Sequence, residues 1–262
     1  MNSDKKQIAV ITGASSGMGR EFALTLFGHG SFDEVWLIAR TEEKLRETAE
    51  KIPFPARVLP YDLTEPASLS ALKALLETEK PSVRLLVNAS GFGRFTACEN
   101  LDENDSLGMI DLNCRALTAL TQMCLPYMTE GARVVEFASV AAFQPTPYIN
   151  IYAASKAYVL SYSRALNREL AGRGIRVFAI CPFWTKTAFF DRAIHSDEPT
   201  VVKHYAAMYE PEFIVRKAWH ALEKTKKDHL VPGLTARLQV LAVRILPHSL
   251  VMKLWMSQQK LN

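Results

Sequence analysis

Three features of this 262-residue chain predict an α/β fold, a three-layer doubly wound parallel sheet of about seven strands with extra C-terminal helices. Short apolar runs alternate with helix-like segments six times between residues 8 and 180. A glycine-rich turn joins the first run to the first helix. The fifth run, Arg133 to Ala138, is followed by Ser139 and then by a helix-like segment carrying Tyr152 and Lys156. A serine at that strand end lies where open α/β sheets gather ligands.

The first strand is Ile8 to Ile11, too short for a helix. Thr12-Gly13-Ala14-Ser15-Ser16-Gly17-Met18-Gly19 follows, and Arg20 to Phe27 reads as a helix. Strand, glycine turn and helix in that order make a phosphate cradle. Gly13 supplies backbone freedom, while Gly17 and Gly19 admit a pyrophosphate and the sheet to the helix start. The helix N-terminus adds donors and a favourable dipole. The bland alternative is an ordinary βα turn, and the spacing GxxxGxG departs from the commoner GxGxxG.

The second strand, Glu34 to Ala39, ends in Arg40. A carboxylate there would bind both ribose hydroxyls of NAD. Ala39 leaves that place empty, and the Arg40 guanidinium favours a 2′-phosphate, so the position points to NADP, with NAD still open. A solvent-exposed arginine at a strand end is the alternative. Thr41 to Lys51 reads as a solvated helix and Arg57 to Pro60 as the third strand. Asp62 is positioned to accept an adenine amino group with the Leu63 backbone alongside, or to cap its own turn. Pro66 to Glu77 is a helix with a buried leucine stripe.

Arg84 to Asn88, the fourth strand, flows into Ala89-Ser90-Gly91. Small residues there let a flat ring or ribose lie close, or simply make a tight turn. One long helix is expected from Asp102 to Tyr127, with Asn113 in an apolar context. A buried amide needs partners, either local backbone or a functional water. Tyr152 and Lys156 are four apart, so a helix points both off one face. An ammonium beside a phenol favours the phenolate, and the spacing therefore predicts a lowered Tyr152 pKa. The helix stops at Gly172 or Gly174, and the sixth strand, Ile175 to Ile180, ends at Cys181-Pro182-Phe183-Trp184-Thr185-Lys186-Thr187.

Composition bounds the function. Apolar residues make up 48% and charged residues 22% of the chain, ordinary for a globular protein. A net charge of +4 without a basic, aromatic-interleaved run argues against nucleic acid. Four cysteines without a CxxC pattern point to a reduced, cytoplasmic setting, and the six histidines form no metal motif. The N-terminus lacks the apolar region of a signal peptide, and no run of about 18 apolar residues predicts a spanning helix.

Taken together, the motifs resemble those of the classical short-chain dehydrogenases/reductases, over about residues 7 to 232. Thr12 to Gly19 is similar to the TGxxxGxG cofactor motif of that family, and Asp62 to its adenine-contacting acid. Asn88 to Gly91 reads NASG where the family usually has NNAG. Asn113, Ser139, Tyr152 and Lys156 match its tetrad in order and spacing, and Pro182 to Thr187 its PGxxxT segment, with Phe183 in place of glycine. The resemblance implies a Rossmann fold and hydride transfer between nicotinamide and a carbonyl or secondary alcohol. It casts Tyr152 as acid or base, Ser139 as holder of the substrate oxygen, and Lys156 as partner of phenolate and ribose. Asn113 keeps a relay water, and Thr185 and Thr187 sit near the carboxamide or pyrophosphate. Self-association as a homodimer or homotetramer is also implied.

Residues 1–233 form one predicted unit, with a substrate lid at about 185–212 whose Phe189, Phe190, Ile194, Val202 and Tyr205 line an apolar pocket or, equally, belong to two ordinary amphipathic helices packed on the core. His195 and His204 need no special role there. From Leu234 to residue 262 the chain adds an amphipathic helical extension. Its apolar face has three alternatives: packing on its own domain or a twin subunit, peripheral contact with a membrane, or capping a pocket for a bulky, hydrophobic substrate.

Overall fold

The computed structural model describes residues 5–194, 201–205 and 207–261. Seven parallel strands form one sheet: β1 (Gln7–Thr12), β2 (Glu34–Ile38), β3 (Ala56–Leu59), β4 (Ser82–Asn88), β5 (Arg133–Phe137), β6 (Arg176–Ile180) and β7 (His229–Leu230). Their order is β3-β2-β1-β4-β5-β6-β7. The chain therefore winds outward from β1 to β3, returns, and winds the other way from β4. The reversal leaves a crevice between the carboxyl ends of β1 and β4, the switch point of a doubly wound sheet.

Both faces of the sheet are covered, which is why its strands read as continuous apolar runs. Successive side chains of β1 alternate between two cores. Ala9 and Ile11 pack toward α1 (Gly17–Thr25), α2 (Glu42–Ala49) and, through Trp219, the later helix over residues 211–224. Ile8 and Val10 pack toward α3 (Pro66–Glu79), whose Leu69, Leu72 and Leu76 recur at helical spacing. Pro66 starts α3 at a position where a missing N–H costs nothing, and Lys80 closes it in the left-handed region.

The helix expected as one piece from Asp102 to Tyr127 is interrupted. Asp102 caps α4 (Glu103–Ile110) by accepting from the Asn104 and Asp105 amides. A π-helical stretch over Asp111–Ala116 then leads into α5 (Leu117–Cys124). The wider turn carries Asn113, whose fully buried amide bonds across to another segment. The Tyr152 helix is α6 (Asn150–Glu169), ending near Gly174 as expected. Tyr148, two residues ahead of α6, holds φ at +67°, a conformation costly for a residue with a side chain.

Beyond β6 come α7 (Phe189–Ile194) and α8 (Pro211–Lys224). Residues 195–200 and 206 of the expected lid, His195 among them, and the side chain of Ile194 lie outside the described residues. The C-terminal stretch forms α9 (Leu234–Ile245) and α10 (His248–Gln259), separated at Pro247. Ala236, Val240 and Val243 turn one face of α9 inward; Val251, Trp255 and Gln259 do so for α10. Among the described residues, no helix is long and apolar enough to cross a membrane.

Candidate active site

The glycine turn and the end of β4 build the crevice floor. Gly13 has a φ of +66°, and a Cβ there would stand 2.9 Å from the Ala89 carbonyl carbon. The Thr12 hydroxyl accepts from the amides of both Ala89 and Ser90 at 3.0 Å, locking the two loops together. A Cβ on Gly19 would meet the Gly13 carbonyl oxygen at 2.5 Å, so α1 starts directly against the turn. Ser16 occupies the N-cap of α1 in extended conformation, without a side-chain cap bond. Met18 lines the cavity beyond, and Ser15 stands half-buried in the turn. Bare backbone, a close approach and a helix N-terminus suit a pyrophosphate.

Arg40 follows β2, with Nη1 3.9 Å from Asp62 Oδ2 and more than half of its side chain exposed. Asp62 Oδ1 accepts from the Thr64 amide and hydroxyl at 2.9 and 2.7 Å, a turn-capping role, while Leu63 is buried. Asn88 points its amide into the core, donating to Thr121 at 3.0 Å and to Glu136 at 3.2 Å. Among the residues expected at the cofactor, then, Asp62 and Asn88 hold the framework with their side chains. On the far side, Thr187 closes on the turn: a Cβ on Gly17 would lie 3.1 Å from its methyl. Thr185 is buried and bonds the Phe183 carbonyl, and the Pro182 carbonyl accepts from Val140.

Three of the four expected residues, Ser139, Tyr152 and Lys156, line one cavity of about 310 Å³ with Ala89, Gly91 and Pro182, and Asn113 is buried behind it. Lys156 Nζ donates to the Phe137 carbonyl at 2.7 Å and stands 5.7 Å from the Tyr152 ring centre. A Cβ on Gly91 would be 2.9 Å from Asn113 Oδ1 and 3.3 Å from that nitrogen, so the glycine leaves room for both side chains. Asn113 donates to the Phe92 carbonyl at 2.9 Å and to Ser155 at 3.0 Å, and accepts from the Phe92 amide at 3.1 Å. The Phe92 backbone and the Ser155 hydroxyl thus supply its partners, and the amide fixes the loop after β4 against α6.

The expected lowering of the Tyr152 pKa is reversed. Burial pushes the phenol up to about 12, against a hydrogen bond with Ser139 that acts the other way. Burial also brings Lys156 down to about 8, opposed by the charges of Cys114, Glu136 and Cys181. Four-residue spacing places the pair on one face but says nothing of how dry that face is, and desolvation outweighs the Ser139 hydrogen bond. Tyr152 is therefore a protonated phenol at neutral pH, equipped to give a proton.

Above these residues sits an aromatic roof that spacing alone left undecided. Phe183, Trp184, Phe189 and Phe190 line the cavity, and α9 and α10 complete it with Val243, Leu246, Val251, Leu254 and Trp255. Tyr152 and Phe189 rings lie 5.4 Å apart. Trp255 Nε1 donates to the Pro147 carbonyl at 3.0 Å, tying α10 to the loop before α6. Gln259, nearly fully buried, accepts from the amides of Lys203 and His204 at 2.9 Å and donates to the His204 carbonyl at 2.8 Å. Gln144, also on the cavity wall, has a buried side-chain oxygen with no hydrogen-bond partner among the described residues. Spacing gave no sign that Trp255 and Gln144 stand on the cavity wall or that Gln259 ties α10 to residues 203–204.

A family model described as short chain dehydrogenase matches residues 7–198. The chain belongs to the short-chain dehydrogenase family. A Staphylococcus epidermidis relative, named an uncharacterized oxidoreductase, is 31% identical over 181 residues, covering 68% of this chain and 77% of that one. A short-chain dehydrogenase from Sphingobium yanoikuyae in complex with NADPH is 26% identical, with a TM-score of 0.74 and 95% of each chain covered. A 3-ketoacyl-(acyl-carrier-protein) reductase from Brucella melitensis complexed with NADH shares the fold at 24% identity and a TM-score of 0.72, covering 87% of this chain and 97% of that one. As a short-chain dehydrogenase, this protein has the fold of an oxidoreductase using a nicotinamide cofactor, and the crevice between β1 and β4 fits such a dinucleotide. Among the described residues, no cluster of His, Cys, Asp or Glu could hold a metal ion.

Proposed function

We propose that this short-chain dehydrogenase reduces the carbonyl of a bulky, apolar small molecule to a secondary alcohol, with NADPH as cofactor. The observation that carries the reading is the convergence of Ser139, protonated Tyr152 and Lys156 at the floor of a cavity whose roof is aromatic and aliphatic. Bound cofactor supplies the hydride to the carbonyl carbon.

The chain's own residues do the rest. The Gly13–Gly19 turn and the α1 N-terminus hold the pyrophosphate, and Arg40 receives the 2′-phosphate. Ser139 donates to the substrate oxygen and Tyr152 Oη delivers the proton to it. As that proton leaves, the Lys156 ammonium stabilises the growing phenolate charge, while its bond to the Phe137 carbonyl fixes its position. The Gln144 carboxamide offers a hydrogen bond to a second polar group of the substrate. Phe183, Trp184 and Phe189 exclude water from the reacting centre.

NADPH is favoured over NADH because the β2 end carries a largely exposed guanidinium, with Ala39 at the position where a ribose-binding carboxylate would stand. The protein's place is the cytoplasm, and self-association as a homodimer or homotetramer is part of the proposal. Paired titrations with NADPH and NADH, followed by NADPH oxidation against a panel of aliphatic, aromatic and polycyclic ketones, test the reading. Tighter NADPH binding and turnover of apolar ketones are expected. Equal or tighter NADH binding would remove the Arg40 argument, and no turnover across the panel would remove the reductase.

A further inference from the structure

Beside the residues that line the cavity, α9 and α10 leave an uncovered surface, and that surface is apolar. Leu234, Leu238, Leu241 and Ile245 recur at spacings of four, three and four along α9, one continuous stripe. Leu234 and Ile245 are 72% and 73% exposed. With Leu250 and Leu254 of α10 they make up six of the eleven large exposed hydrophobic residues among the described residues, so the apolar surface is concentrated here.

Charge is concentrated in the same place. Residues 234–262 contain Arg237, Arg244, Lys253 and Lys260 and no Asp or Glu. The whole chain has 31 basic and 27 acidic residues. Removing those four leaves 27 against 27, so the formal net charge of +4 resides entirely in the extension. An apolar stripe flanked by cations, on helices too short to span, is the pattern of an element lying in the plane of an anionic interface. A two-fold contact through the same stripe would bring together two copies of a segment that carries four cations and no Asp or Glu.

We infer that α9 and α10 dock this protein on the surface of an anionic lipid bilayer. Leu238 and Leu241 enter the acyl boundary, and Arg244 and Lys253 meet the headgroups. Ala242, Leu254 and Gln258 are exposed and also line the cavity, so the cavity reaches the surface at the same helical pair. Resting on the reductase reading, docking brings that mouth against lipid, where an apolar ketone partitions.

The test is co-sedimentation of the full chain with vesicles of phosphatidylcholine alone or with phosphatidylglycerol, at low and high salt. Binding to the phosphatidylglycerol vesicles, weakened by salt, is expected. The double variant Leu238→Glu/Leu241→Glu, whose replaced side chains are exposed and outside the cavity, should bind about tenfold or more weakly while keeping its thermal melting profile. Arg244→Gln/Lys253→Gln, which leaves Arg237 and Lys260 in place, should weaken the salt dependence by about half. No sedimentation with anionic vesicles at low salt, or unchanged binding by the leucine variant, would overturn docking. So would a leucine variant that changes the oligomeric state in size-exclusion chromatography, which would make the stripe a contact between copies. Because these readouts need no turnover, failure of docking and failure of the reductase reading are separate results.

Discussion

Trp255 Nε1 donates to the Pro147 carbonyl across 108 residues of sequence, and through that bond the last helix is fastened to the loop that delivers Tyr152. The indole ring also lies 6.5 Å from Trp184, nearly parallel to it, so α10 is part of the cavity wall. Trp255→Phe should keep most of the packing and lose the hydrogen bond, about 1 kcal/mol of stability. Trp255→Ala should cost about 3 kcal/mol or more and raise KM for apolar ketones more than it lowers kcat. Denaturant melts and steady-state kinetics on both variants check this; an unchanged KM in the alanine variant would detach α10 from the cavity.

The pH profile should follow Lys156. Its folded value near 8 means the ammonium is present below that pH and is lost above it. Tyr152, near 12, stays protonated throughout. Reductive kcat/KM should therefore be level at neutral pH and fall above about pH 8, approaching tenfold per pH unit. A level profile up to pH 10 would show that the ammonium does not support proton transfer.

Glu136 is a fully buried carboxyl near the end of β5, and nothing in the proposed chemistry uses it. One oxygen accepts from Thr121 at 2.9 Å and Asn88 at 3.2 Å; the other has no partner among the described residues. Burial pushes it up to about 8, opposed by those bonds and by the Lys156 charge. In the unfolded chain it titrates near 4.5. Between these values the folded state keeps a proton that the unfolded state has lost, so its contribution to stability falls as pH rises and levels off above about 8. Glu136→Gln should remove that slope, which approaches about 1.4 kcal/mol per pH unit at its steepest. Chemical denaturation at pH 5.5 and 8.5 compares the two proteins; equal pH dependence would mean the carboxyl titrates normally.

Gln144 has a different fate. Its unpartnered oxygen on the cavity wall is a buried polar group without compensation, and a polar substituent on the substrate would satisfy it. Gln144→Leu should leave the protein at least as stable, since an unsatisfied group is removed. It should also raise KM about tenfold for ketones carrying a hydroxyl or an amide N–H that can donate to this oxygen, without affecting plain hydrocarbon ketones. Equal losses for both kinds of ketone would contradict a contact with substrate.

How far the sequence went depends on the range of each interaction. The crevice was legible because Gly13 to Gly19 sits between a strand and a helix, a local pattern. Tyr152 and Lys156 were legible as partners because helical spacing is local too. Three things were not. Trp255 and Gln259 act on residues more than 50 positions away, through contacts that no spacing encodes. The π-helical stretch around Asn113 follows from where Phe92 and Ser155 end up, not from the composition of 111–116. The Tyr152 pKa went the wrong way because charge proximity can be read from a chain and dryness cannot.

The central claim is that Tyr152 hands a proton to the oxygen held by Ser139. Its most direct test is Tyr152→Phe, assayed for NADPH binding by fluorescence titration and for ketone reduction under single-turnover conditions. The account predicts cofactor affinity within about threefold of the unaltered protein and a rate lower by at least about a hundredfold. A phenylalanine variant that reduces ketones at near-normal rate would contradict it.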